Sequence, residues 1–179
     1  IQMKSKKVLL SLGSNISPRK ERIMSCIKLI KNTDNIYLIG SSSLYETSPM
    51  YNLDQKNFIN CVVEIETTIE PHTLLKVTQS LEFELGRTKN SKRNQPRKID
   101  IDILLYGEES IESEALRIPH LGIFDRKFVL VPIFELKGNI SMPGSGKKIK
   151  DLITDLRKKC DKIRKCKYNI NEKDISYSC

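Results

Sequence analysis

Between Pro96 and Leu105 the chain reads Pro96-Arg97-Lys98-Ile99-Asp100-Ile101-Asp102-Ile103-Leu104-Leu105, and no other stretch so narrows what it can fold into. Isoleucines at a spacing of two predict a β-strand, on which successive side chains point to opposite faces. Ile99, Ile101 and Ile103 then line a core, and Asp100 and Asp102 share the other face. Carboxylates about 7 Å apart along a strand repel each other unless something positive lies between them, and oxygen ligands of this kind suit Mg²⁺. Arg97 and the basic residues upstream, Arg87, Lys89, Lys92 and Arg93, carry the charge that a polyphosphate needs. A strand whose polar face simply meets water is the plainer reading of an isolated Asp-x-Asp. The adjoining basic loop shifts this one toward a metal–phosphate site.

Patterning on either side extends the strand into a fold. Val8 to Leu12 is a short apolar run stopped by Gly13-Ser14-Asn15, a buried strand and its turn. Ser17-Pro18 predicts a helix start, with Ser17 as N-cap and proline at the first helical position, and Ile23, Ile27 and Ile30 continue at helical spacing to about Lys31. Ile36 to Tyr45 has β character, Tyr51 to Asn57 forms a polar loop, and Phe58 to Thr67 is rich in β-branched residues. A helix over about His72 to Leu85 carries Leu74, Thr78, Leu81 and Leu85 on one stripe, with Gly86 placed to end it and Gln79 and Glu82 sharing a neighbouring face. The order β-α-β-β-α-β predicts an α+β, ferredoxin-like core: a mostly antiparallel sheet with helices on one face. Beyond it a small hairpin is expected within Gly107 to Arg117, a turn at Pro119-His120, a helical piece from Arg126 to Leu136 and a helix from roughly Ile149 to Lys159.

The length of 179 residues suits one domain. It is expected over residues 1–160, with 161–179 a basic polar tail or linker. Lysine and arginine exceed aspartate and glutamate by 31 to 22, a formal +9 that favours anionic partners, although much of the excess lies near the C-terminus and reads as a solvated face. Five scattered cysteines with no C-x-x-C pair and only two histidines suggest neither a disulfide framework nor a zinc site. Cys26 and Cys61 lie in apolar runs and read as buried thiols of a reducing compartment. With no membrane-span or signal-peptide pattern, a cytoplasmic protein that binds no membrane is expected. The opening Ile1-Gln2-Met3 and the polar ending fit a domain cut from a longer polypeptide.

Taken in order, Leu12-Gly13-Ser14-Asn15, Tyr45-Glu46-Thr47-Ser48-Pro49, Phe58-Ile59-Asn60, Gly86-Arg87, Pro96 to Leu104, Ile118-Pro119-His120 and Arg126 to Leu130 resemble the 6-hydroxymethyl-7,8-dihydropterin pyrophosphokinase family. The resemblance implies a transferase of folate biosynthesis that moves pyrophosphate from ATP to a pterin alcohol and releases AMP. By resemblance, two Mg²⁺ ions are held by Asp100 and Asp102, and Arg87 and Arg97 reach the phosphates from a closing loop. ATP would be met by Gln79, Glu82, Arg87, Arg97, Ile103 (through its backbone), Arg117, His120 and Arg126. The pterin would be met by Thr47, Ser48, Met50, Phe58, Asn60 and Phe128. The resemblance leaves two arrangements open, a free enzyme and a domain fused to or followed by another folate-pathway enzyme as partner. This chain departs from the family pattern at Asn90, at Asn94-Gln95 before Pro-Arg, and at Leu121, where tyrosine is common.

The competing class is a ferredoxin-like RNA-binding module, which shares the element order and a basic balance. No segment supplies the K/R-G-F/Y-G/A-F-V-x-F/Y pattern of such modules, and paired carboxylates repel nucleic-acid phosphate. No nucleic-acid partner is expected. A G-x-x-x-x-G-K-[ST] phosphate loop is also missing, which argues against a P-loop kinase.

Overall fold

The computed structural model describes residues 4–50, 54–86, 96–156 and 162–166. Its frame is a six-stranded sheet: β1 (Lys6–Ser14), β2 (Ile36–Ser41), β3 (Tyr45–Thr47), β4 (Phe58–Thr67), β5 (Asp100–Tyr106) and a terminal strand, β8 (Ile163–Lys165). The order is β5-β1-β4-β3-β8, with β2 pairing β4 beyond β3, and every pairing is antiparallel. Helices α1 (Arg19–Lys31), α2 (Pro71–Glu84), α3 (Lys127–Lys137) and α4 (Ile149–Asp155) surround it, and β6 (Ile111–Glu112) with β7 (Arg117–Ile118) forms the expected hairpin.

Period-two patterning decides which face each residue takes. Val8, Leu10 and Leu12 of β1, Ile59, Cys61, Val63 and Ile65 of β4, and Ile101 and Ile103 of β5 join Ile23, Ile27 and Ile30 of α1 and Leu74 and Leu81 of α2 in one core. The opposite face splits along its length. Leu9, Val62, Leu104 and Leu105 pack against Val129, Leu130 and Ile133 of α3 and Ile149 and Leu152 of α4. Beyond that cover the same face carries Ser11, Gly13, Phe58, Asn60, Asp100 and Asp102. The second helical layer differs from the expected arrangement of helices on one face: α3 carries Val129, Leu130 and Ile133 on one stripe, and these need a sheet surface to cover them. An RNA-recognition sheet would need that surface open.

Three local expectations are corrected. Pro18, rather than Ser17, takes the N-cap of α1, and no side chain caps that helix. The segment Ile36 to Tyr45 is two strands, because Ser42 turns inward: its N–H donates to Val62 O at 2.8 Å and its hydroxyl accepts from Val62 N–H at 3.0 Å. Residues 162–166, expected in a polar tail, instead reach the sheet, where β8 extends β3 and Cys166 is buried. Three ion pairs hold this edge. Arg164 and Arg19 grip the two oxygens of Glu46, at 2.6 and 3.0 Å, and Lys165 reaches Glu135 at 2.8 Å. Cys26 and Cys61 are buried free thiols, as read; burial pushes Cys26 up to about 12 and raises Cys61 further, so neither is a thiolate at neutral pH.

Candidate active site

The uncovered half of the sheet floors a cavity of ≈ 510 Å³, a size suited to small ligands. Strand register explains its chemistry. Gly13 of β1 pairs with Asn60 on one side and Asp100 on the other, while the next residue on that face, Ser11, pairs with Val62 and Asp102. The amide and the carboxylates therefore lie two interstrand spacings apart, roughly 10 Å, with only glycine between Asn60 and Asp100. Gly13 could hardly be anything else: a Cβ there would lie 2.8 Å from Asn60 Oδ1.

Asn60 is buried, and its amide donates to Thr47 Oγ1 at 2.6 Å. The bond fixes the amide plane and leaves the carbonyl and one N–H as a donor–acceptor pair. Phe58 and Phe128 flank the cavity, and Ser48 and Met50 from the loop after β3 complete this end. At the other end Arg97 Nη1 meets Asp100 Oδ1 at 2.7 Å, so the structure provides one carboxylate with a counter-ion. His120 stands over Asp102 with Nε2 3.8 Å from Oδ1. Its Nδ1 accepts the Gly122 N–H at 3.1 Å, which leaves the ring proton on Nε2. Burial and the Arg126 guanidinium hold His120 down to about 4 against the opposing pull of Asp100, so it is neutral at physiological pH. Arg126 lies over Gly122, where a Cβ would come within 2.5 Å of its Nε, and 5.8 Å from the Phe128 ring centroid.

Asn15 ties these parts together. Its Oδ1 accepts from Arg97 N–H at 2.8 Å, its N–H donates to Arg97 O at 3.2 Å, and its side-chain amide donates to Gln55 Oε1 at 2.9 Å. Ser14 Oγ donates to Lys98 O at 2.5 Å. Thus the turn after β1 positions both the approach to β5 and the loop before β4, a role that spacing alone does not reveal.

The cavity brings together Thr47, Ser48, Met50, Phe58, Asn60, Arg97, Asp100, Asp102, His120, Arg126 and Phe128. Four expected ATP contacts do not line this cavity. Gln79 and Glu82, neighbours three apart on α2, differ in burial: Gln79 is exposed and Glu82 buried. Glu82 accepts the Ile101 N–H at 2.7 Å and thereby ties α2 to the outer edge of β5. Arg117 pairs with Glu112 on the hairpin, 3.1 Å away. Ile103 turns its side chain into the core. Two residues from Ile101, its backbone follows the same outward direction on an edge strand. Arg87 lies outside the described residues, as do Lys89, Asn90, Lys92, Arg93 and Asn94-Gln95. Leu121 is 67% exposed at the rim. Sequence reading missed Ser11 and Gln55 as lining residues; Ser11 was legible in principle, two before Gly13 on a strand whose partner faces were already assigned.

No cluster of three or more His, Cys, Asp or Glu side chains suited to a metal ion occurs among the described residues. Two neighbouring carboxylates nevertheless fit Mg²⁺, which keeps water and substrate oxygens on most of its six positions.

Residues 9–138 match the family described as 7,8-dihydro-6-hydroxymethylpterin-pyrophosphokinase. The chain is 38% identical over 149 residues to the 2-amino-4-hydroxy-6-hydroxymethyldihydropteridine pyrophosphokinase of Haemophilus influenzae, covering 83% of this chain and 89% of that one. It is 40% identical over 153 residues to the folic acid synthesis protein fol1 of Schizosaccharomyces pombe, covering 86% of this chain but only 21% of the yeast protein. Among solved structures, Plasmodium falciparum HPPK-DHPS with pteroate superposes with a TM-score of 0.68 at 16% identity, over 85% of this chain and 42% of that one. That likeness is one of fold. The chain therefore spans a minor part of its longer relatives and nearly the whole of the bacterial one.

Proposed function

The chain belongs to the 7,8-dihydro-6-hydroxymethylpterin-pyrophosphokinase family, and from that premise we propose that it transfers the terminal diphosphate of ATP to 6-hydroxymethyl-7,8-dihydropterin in folate synthesis. The pterin hydroxymethyl oxygen bonds to the β-phosphorus, the bond from that phosphorus to the α,β-bridging oxygen breaks, AMP leaves, and the hydroxyl proton passes to solvent. One observation carries this reading: the polar face of β4, β1 and β5 puts a ring-edge reader, Asn60, and a carboxylate pair, Asp100 and Asp102, in one cavity with Gly13 between them.

Asn60 presents its remaining donor and acceptor to the pterin edge, held by Thr47, and Phe58 and Phe128 contact the flat ring. That orientation sends the hydroxymethyl arm toward β5. Asp100 and Asp102 would hold two Mg²⁺ ions, which when bound supply neutralisation of phosphate charge. Arg97, now paired with Asp100, would exchange that partner for phosphate oxygens as ATP arrives, and Arg126 and the Nε2–H of neutral His120 would also donate to phosphate. Positioning and charge neutralisation of this kind are the main sources of rate in phosphoryl transfer. The outward backbone of Ile103 is suited to the adenine edge.

The relatives named as bifunctional folate-synthesis proteins support a second folate enzyme as a covalent neighbour. The buried free thiols suit a reducing compartment, the cytoplasm in the first instance.

Product identity tests the reaction. With MgATP and 6-hydroxymethyl-7,8-dihydropterin, AMP and a pterin diphosphate should form in equal amounts, and chelating the divalent cation should stop both. ADP would mean attack at the γ-phosphorus and free pyrophosphate attack at the α-phosphorus; either as the main product would overturn the proposal.

A further inference from the structure

Ser11 sits on the cavity floor, directly across the β1–β5 pairing from Asp102, and is only 6% exposed. Facing cross-strand side chains of this kind have Cβ atoms about 5 Å apart. The buried amide on this floor is engaged, Asn60 donating to Thr47 Oγ1. No described residue hydrogen-bonds the Ser11 hydroxyl. The hydroxyl is not one of the buried side-chain atoms left without a partner among the described residues, so although Ser11 as a residue is largely covered, its hydroxyl opens onto the cavity. From there it can donate to or accept from whatever occupies the cavity beside Asp102, which alanine could not.

We propose that Ser11 is a positioning residue for the cation site, its hydroxyl hydrogen-bonding a water coordinated to the divalent cation at Asp102. The inference rests on the functional reading above and deepens it. Mg²⁺ sheds water reluctantly, so a cation held by one or two carboxylates keeps several waters, and side chains that hold such outer groups set affinity nearly as strongly as direct ligands. Register makes Ser11 the β1 residue facing Asp102, whereas the facing residue on β4's side of it, Val62, is apolar.

Mn²⁺ serves as the probe, titrated into the protein in the presence of α,β-methylene ATP and followed by water-proton relaxation, which requires no turnover. Ser11→Ala should weaken Mn²⁺ binding roughly tenfold while its melting temperature stays level, because no described residue hydrogen-bonds the hydroxyl in the free protein. Ser11→Thr, which keeps the hydroxyl, should bind near the wild-type value. Wild-type Mn²⁺ affinity in Ser11→Ala would overturn the proposal, and so would a lower melting temperature with a matching loss of binding, since the hydroxyl would then be structural. Asp102→Asn separates the two readings: if it too leaves Mn²⁺ affinity unchanged, the cation site itself is misplaced.

Discussion

One face of the sheet contains two regions built on the same strands and governed by opposite rules. Toward one end Leu9, Val62, Leu104 and Leu105 lie under α3 and α4. Toward the other, Ser11, Gly13, Asn60, Asp100 and Asp102 occupy the same side of β1, β4 and β5 and meet a cavity. A step of two residues along one strand is enough to cross between them, from Leu9 to Ser11 or from Val62 to Asn60. Covered positions return stability through apolar burial. Uncovered ones hold polar groups whose partners are in part the ligands, so their substitution should cost function and leave the fold intact.

The carboxylates should show this contrast most strongly. Asp100→Ala or Asp102→Ala should cut turnover by at least about a thousandfold, the scale of losing preorganised charge stabilisation, with circular dichroism and melting temperature nearly unchanged. Steady-state rates alongside melts decide it: near-normal activity in both variants would remove the metal assignment.

The packed half should respond the other way. Ile133, fully buried on α3, should cost about 2–5 kcal/mol when replaced by alanine, read from urea unfolding, while kcat below the melting range stays near wild type. A large fall in kcat with little loss of stability would erase the division between the regions.

Asn60→Ala should weaken pterin binding by about 1–3 kcal/mol by leaving ring-edge groups unpaired, and ATP binding measured without pterin should hardly move. Titrating each ligand alone makes the comparison, and equal losses would assign Asn60 to packing. Arg97→Ala should lower kcat and kcat/KM together, with less effect on ATP affinity, if its exchange from Asp100 to phosphate matters mainly in the transition state.

The smallest effect should lie at the far edge, where β8 is fastened. Burial tends to raise the Glu135 carboxyl, but hydrogen bonds from Lys165, Ser43 and Tyr45 outweigh it and bring the group down to about 2. Below its ordinary 4.5 the unfolded chain binds the proton first, so this stabilisation is complete above that value and is lost as pH falls toward about 2. Glu135→Gln should flatten the acid limb of stability over that window and leave the neutral-pH rate unaltered. An unchanged acid limb would show that the cluster contributes nothing to it.

Alternation made the β5 carboxylates and the isoleucine core legible before any coordinates, because a strand's period of two is local and each side chain's face follows from its neighbours. Helical stripes placed α1 and α2 for the same reason, and ordered motifs pointed to the family. The part played by Glu82 was not local in this way. Its helical spacing from Gln79 places it on a neighbouring position of α2, but only the packing against β5 shows that its carboxylate accepts the Ile101 N–H. Ser11 and Gln55 were missed because their roles depend on which strand lies across and which loop folds over, and Asn15 became a hub through segments 40 and 82 residues away. The last strand shows the limit best: Ile163-Arg164-Lys165 has the composition of a solvated tail, and joins the sheet only because β3 offers an open edge and Glu46 and Glu135 offer it charge. Periodicity carries information about which face a residue takes; pairing across long separations in sequence sets what that face will meet.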